Sequence, residues 1–304
     1  MPAPSHKASR QVKGIQPQEL DKKPGSQVQD KTPATRDLED QETSKSADLA
    51  RPMRGKGDWT ILLPQPTDSQ DDPLNWTWAK KHQILLSLVL AALLTDFGMT
   101  YGFVLFQAQA PDFHMSVTSV SRSASGGLFL QGPAGIFAVP LIQRYGRLPV
   151  LFWSQFCSTL VVLAAALSPN YAYFTAFRAL QGWFNTAPQV VGLSVIHDLF
   201  FLHERTSRVN IWVFCLLGGP FLGPFLAAWL IQAVDWRADF GVLASLHGLA
   251  TLSIIFLGDE TLYNRRDPPP SRDKGVVAKL KLLTGITGVM SKEGRPEVWS
   301  VLKD

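Results

Sequence analysis

Asp96 is a carboxylate embedded in the apolar run Gln83–Leu105, where an ionised acid costs several kcal/mol unless it is paired or faces water. Its natural chemistry there is to hold a proton or a cation. Arg178 offers the opposite charge, one turn inside a later apolar run, Phe174–Ile196. By helical rise Asp96 lies roughly 13 Å from the far end of its run, and the two groups differ in depth by roughly 7 Å, within an arginine's reach. Gln181, Gly182 and Asn185 follow Arg178 at offsets of three, four and seven, so one helix face carries these polar residues. Two readings are open. Asp96 and Arg178 pair, with the carboxylate as a proton or cation site beside a water-filled path. Alternatively Arg178 extends to the membrane interface, Asp96 is a neutral hydrogen-bonded acid, and Gln181 and Asn185 bond neighbouring helices.

Six apolar stretches must position these groups: Gln83–Leu105, Ala124–Ile142, Leu148–Leu167, Phe174–Ile196, Val209–Ile231 and Phe240–Leu257. Each is long enough for the ~20 helical residues that cross a bilayer core about 30 Å thick, where only a helix or a closed barrel satisfies the backbone. The reading is therefore an all-α integral membrane protein with six transmembrane helices, its first partner the lipid bilayer. The whole-chain average hides this, since 18% charged residues and a mean hydropathy of +0.05 over 304 residues suit a soluble protein. Residues 1–75 read as a disordered cytoplasmic tail and entry segment, 76–265 as the membrane domain, and 266–304 as a cytoplasmic tail. Without a basic start followed by a short apolar run, the first span is expected to act as an uncleaved insertion signal.

Lys and Arg set the orientation. With the N-terminus inside, Lys80, Lys81, Arg144, Arg147, Arg205, Arg208, Arg265 and Arg266 lie at the cytoplasmic edges, against Arg122 and Arg237 outside. The net charge of +4 is spread over membrane edges and forms no nucleic-acid stripe. Cys157 and Cys215 fall inside spans as small hydrophobes, no metal-ligand cluster is present, and His247 reads as a neutral hydrogen-bonded side chain. No nucleophile–base pair or phosphate loop suggests an enzyme, and no cofactor is expected.

The loop Val139-Pro-Leu-Ile-Gln-Arg-Tyr-Gly-Arg-Leu-Pro-Val150 resembles the cytoplasmic loop signature of the major facilitator superfamily. Arg144, Gly146 and Arg147 fit it; Val139 stands in place of a Gly and Gln143 in place of an Asp. Gly146 permits a tight reversal, and the arginines anchor the loop at an anionic leaflet. Asp72-Pro-Leu-Asn-Trp76 is similar to the entry segment of fungal drug:proton-antiporter-type members. Arg178-Ala-Leu-Gln-Gly182 resembles the helix-4 signature, and Gly218-Gly-Pro-Phe-Leu-Gly-Pro224 the helix-5 antiporter signature. Asp198-Leu-Phe-Phe-Leu-His-Glu-Arg205 and Gly258-Asp-Glu-Thr-Leu-Tyr263 resemble the loop after helix 4 and the exit from helix 6.

The resemblance implies the N-terminal six-helix half of a secondary transporter, whose relatives move small organic solutes, drugs, metabolites or organic cations coupled to protons. It implies that Asp96, Arg178, Gln181 and Asn185 line the substrate or proton path. Gly219, Pro220, Gly223 and Pro224 would bend the fifth helix and let a neighbour approach, as a rocking helix needs. Asp198, Glu204 and Arg205 are expected to meet Arg144 and Arg147 in a cytoplasmic latch. A twelve-helix relative has a second half, so the chain is expected to be a truncation, to form a homodimer, or to serve as a non-transporting interaction subunit. The expected location is the plasma or vacuolar membrane.

Overall fold

The computed structural model describes residues 64–263 and 275–285; the expected tail up to residue 63, Arg265, Arg266 and most of the expected C-terminal tail lie outside the described residues. Described residues form helices and loops without strands. Thr77 accepts from the Lys80 N–H and starts α1, Trp78–Tyr101. A 3-10 turn, Gly102–Leu105, carries the chain into α2, Phe106–Asp112. Ser116 caps α3, Val117–Tyr145, by accepting from the Ser119 N–H. Such caps satisfy donors that the first helical turn leaves free. Gly146, at φ 102°, then reverses the chain into α4, Arg147–Ala166, in a conformation that glycine adopts without a Cβ penalty.

Asn170 caps α5, Tyr171–Asn185, which abuts α6, Ala187–Leu199. Then come α7, Leu202–Leu230; α8, Trp236–Leu257; and the short α9, Val276–Thr284. Among the described residues, five stretches are long and apolar enough to cross a membrane: Trp78–Asp112, Val117–Tyr145, Arg147–Ala166, Leu202–Leu230 and Trp236–Leu257. The other expected span is present but divided into pieces of 15 and 13 residues. Pro188 supplies no N–H at the start of α6, and the Thr186 hydroxyl donates to Gly182 O at 2.9 Å and Gln131 O at 3.3 Å.

Helix α1 is the hub, packing on α7, α8, α6 and α5, while α3 packs on α5 and α4 on α5 and α8. The apolar window of α1 is 67% buried, against 28% for α3 and 22% for α7, so α3 and α7 present their apolar faces outward. Phe214, Phe221, Phe225 and Trp229 of α7 are exposed in this way. On its other face, Gly219 and Gly223 lie against the α1 backbone. A Cβ at Gly219 would come 2.6 Å from Leu93 O, and one at Gly223 2.5 Å from Phe97 O. Pro220 and Pro224 are half-buried within an α7 that runs unbroken from Leu202 to Leu230.

Two apolar clusters fill the interior. One, towards Arg147, holds Leu88, Val195, Leu199, Phe200 and Trp212; the other, towards Asp112, holds Phe97, Tyr101, Phe174, Trp236 and Phe240. The expected tail boundaries need correction. Asp72 is fully buried and accepts from the Thr67 and Leu74 N–H groups, capping a 3-10 turn, Pro73–Asn75, while Lys81 donates to Leu74 O. Residues 64–75 therefore belong to the folded domain. Helix α9 also packs on the bundle, burying Leu283 in the first cluster and placing Lys279 Nζ 2.9 Å from Phe256 O.

Candidate functional site

Asp96 sits next to the central residue of the continuous stretch Trp78–Asp112, and Gln131 is the central residue of Val117–Tyr145. Gln131 Nε2 donates to Asp96 Oδ1 at 3.0 Å, and Gln189 Nε2 of α6 donates to Asp96 Oδ2 at 2.8 Å. The two amides also meet, at 3.3 Å. All three side chains are half-buried, and among the described residues no cation pairs with Asp96. The result is a carboxylate held by amides from two other helices near mid-membrane, with part of its surface open.

Arg178 does not take Asp96 as its partner, which corrects the expected pair. Its guanidinium donates to Gly98 O at 2.9 Å, Met99 O at 2.6 Å and Gln181 Oε1 at 2.6 Å, and lies over the Phe240 ring. The reason lies in α1, which ends at Tyr101. There the α-helix passes into the 3-10 turn Gly102–Leu105, and a planar fork of N–H groups reaches two successive carbonyls, Gly98 O and Met99 O, without a carboxylate.

Gln181 and Asn185 share the expected face with Arg178, but that face is sealed inside the bundle, with exposures of 0%, 1% and 1%. Asn185 Nδ2 donates to Thr95 O at 3.1 Å, and its Oδ1 accepts from the Ser158 hydroxyl. Gln155 Nε2 lies 2.8 Å from His247 Nδ1 beside them. Of the four expected path residues, Asp96 keeps an open side, Arg178 ties α5 to α1, Asn185 ties it to α1 and α4, and Gln181 bonds Arg178 within α5.

At the other end, Arg147 forms an ion pair with Asp198 and donates to Ser194 O at 2.5 Å. The rest of the expected latch does not assemble. Arg205 donates to His197 O at 3.0 Å, a carbonyl of the last turn of α6, and Glu204 lies 3.9 Å from His203. Arg144 has no carboxylate partner among the described residues and lies beside the Tyr145 ring.

Residues 88–302 match the Major Facilitator Superfamily. The chain belongs to that family. It is 29% identical over 212 residues to the MFS antiporter QDR3 of Candida albicans, covering 70% of this chain and 30% of that one. It is 30% identical over 192 residues to the MFS-type transporter penM of Penicillium rubens, covering 62% and 37%, and 27% identical over 217 residues to citrate exporter 1 of Aspergillus niger, covering 69% and 41%. The chain thus spans about a third of the length of the curated relatives it matches. The proton:xylose symporter XylE, in its complex with 6-bromo-6-deoxy-D-glucose, shares the fold at a TM-score of 0.55, with 14% identity over 75% of this chain and 53% of that one.

Within this facilitator domain, sequence reasoning missed three groups. Gln131 and Gln189 are polar residues inside apolar spans, the same signal that drew attention to Gln181. Asp239 was hidden just before the expected sixth span, yet it is fully buried and accepts from the Tyr101 hydroxyl. Glu260 lies in the helix-6 exit motif, and its role follows from its contacts with the N-terminus of α4.

Proposed function

We propose that the chain forms the N-terminal six-helix half of a secondary transporter for small organic solutes, with Asp96 as its proton-binding carboxylate. The observation that carries this is the Asp96–Gln131–Gln189 cluster: a half-exposed mid-membrane acid, held by two amides from other helices and paired with no described cation. An amide offers both donors and an acceptor, so it can bond the carboxylate and, after rotation, accept from the protonated acid. Proton uptake would then change how α1 is tied to α3 and α6. Relatives named as an antiporter and as exporters support export of organic solutes as the direction of the cycle. Alternating access in such folds works by one half rocking against another, so transport is assigned to this domain together with a second half or a second copy.

The test is efflux of cationic dyes and organic acids from yeast cells expressing the chain, with and without a proton uncoupler. The expected result is uncoupler-sensitive efflux that disappears in Asp96→Asn at unchanged membrane abundance. Equal flux in both variants would remove Asp96 from the role, and absence of flux from the parent chain would show that this chain does not transport alone.

A further inference from the structure

A groove of about 370 Å³ opens on the outside of the bundle at its Arg147 end. Phe137 and Leu141 of α3, Trp153 and Cys157 of α4 and Trp183 of α5 line it. These are the second half of α3 and the first half of α4, so the groove spans one leaflet's depth and not the whole membrane. Its volume falls in the roughly 300–1,000 Å³ range of small-molecule sites, and its apolar, aromatic wall offers water few of the hydrogen bonds that hold an ordered molecule. Phe137 and Trp153 remain 45% and 46% exposed, so the groove is open sideways.

Two basic residues, Arg144 and Lys281, neighbour residues that line the mouth at the Arg147 end. Tyr145 borders it, and the Arg144 guanidinium stands beside that ring. Thr284 and Gly285, at the end of α9, close the same mouth, with Gly285 packed on Pro149. Lys281 is one helical turn before Thr284, hence on the same face, and is exposed. Neither Arg144 nor Lys281 is ion-paired to a carboxylate among the described residues, so both charges are available to a phosphate.

We infer that this groove binds one acyl chain of an anionic phospholipid, with Arg144 and Lys281 holding the headgroup phosphate. The lateral surface of a multi-pass protein is bathed in acyl chains, and basic pockets between helices at the cytoplasmic edge suit anionic headgroups. The Lys/Arg asymmetry places Arg144 at the leaflet richer in such lipids. Bound lipid would join the Gly146 reversal to α9. The inference stands whether or not Asp96 carries protons.

The purified chain is reconstituted in phosphatidylcholine vesicles containing a small fraction of phosphatidylglycerol with a diazirine on its acyl chain, and photoadducts are mapped by mass spectrometry. Adducts are expected to concentrate at residues 137–157 and 183, and excess unlabelled phosphatidylglycerol should compete severalfold better than phosphatidylcholine. Arg144→Gln combined with Lys281→Gln should erase that preference, and Cys157→Phe, which fills the groove, should lower the adducts severalfold with α7 labelling unchanged as a folding control. Even labelling of α4 and α7, equal competition by both lipids, or cross-links placing residues 286–304 or a second copy in the groove would overturn the inference.

Discussion

Glu260 accepts a hydrogen bond from the backbone N–H of Arg147 at 3.1 Å, joining the segment after α8 to the first residue of α4. The same fully buried carboxylate accepts from the Leu148 N–H at 3.0 Å and the Leu262 N–H at 2.8 Å. Helix-start donors have no intrahelical acceptor, and a negative charge there also meets the positive end of the helix dipole. Glu260→Ala is expected to lower stability by about 1–3 kcal/mol, because several buried donors lose their acceptor. Glu260→Gln should retain part of it. Thermal unfolding of the purified variants in detergent checks the order, and a Glu260→Ala curve matching the parent would refute the cap.

Arg178 and Asp96 should behave as independent sites. Arg178→Ala removes buried hydrogen bonds to Gly98 O, Met99 O and the amide oxygen of Gln181, a loss of roughly 2–4 kcal/mol if each is worth on the order of 1 kcal/mol. Asp96→Asn leaves those contacts untouched. In a double-mutant cycle on unfolding free energy, the two effects should add within about 0.5 kcal/mol. A coupling well above about 1 kcal/mol would restore the ion pair that the contacts argue against.

How much the sequence revealed follows from which forces act locally. Span lengths and caps are written in runs of residues, so the six apolar stretches and the reversal at Gly146 could be read directly. The polar face of Arg178, Gln181 and Asn185 was also legible, because helical offsets fix it. What that face touches was not, since no residue pattern announces that Arg178 meets the carbonyls of Gly98 and Met99 on α1. The amides around Asp96 come from Gln131 and Gln189, 35 and 93 residues away, and only packing brings them together. The latch was half legible: Arg147 finds Asp198, but Arg205 is drawn to the free carbonyls ending α6.

Charge asymmetry predicts which side each loop occupies. Glycosylation or cysteine-labelling tags near Pro111, Asn170 and Asp235 are expected to report outside, and tags near Tyr145 and His203 inside. The divided span α5–α6 makes this a sharp measurement. If α5 and α6 together failed to cross, Asn170 and His203 would report the same side, and a single reversed site would overturn the orientation.

Gly218, Gly219 and Gly223 of α7 give a prediction with its own control. A Cβ at Gly219 would meet Leu93 O at 2.6 Å and Phe97 N at 2.9 Å, and one at Gly223 would meet Phe97 O at 2.5 Å, all of them backbone atoms that cannot swing aside. A Cβ at Gly218 meets nothing within 4 Å. Gly219→Ala and Gly223→Ala should therefore push α7 off α1 and cost about 1–3 kcal/mol, as overpacking does. Gly218→Ala has only the helix-propensity gain of up to about 1 kcal/mol and should be neutral or stabilising. Unfolding midpoints of the three variants, compared with their transport rates in a complete twelve-helix assembly, separate packing from motion. If the glycines serve a moving helix, Gly219→Ala and Gly223→Ala should lose transport beyond the fraction unfolded, whereas loss in proportion to stability would assign them to static contact between α1 and α7.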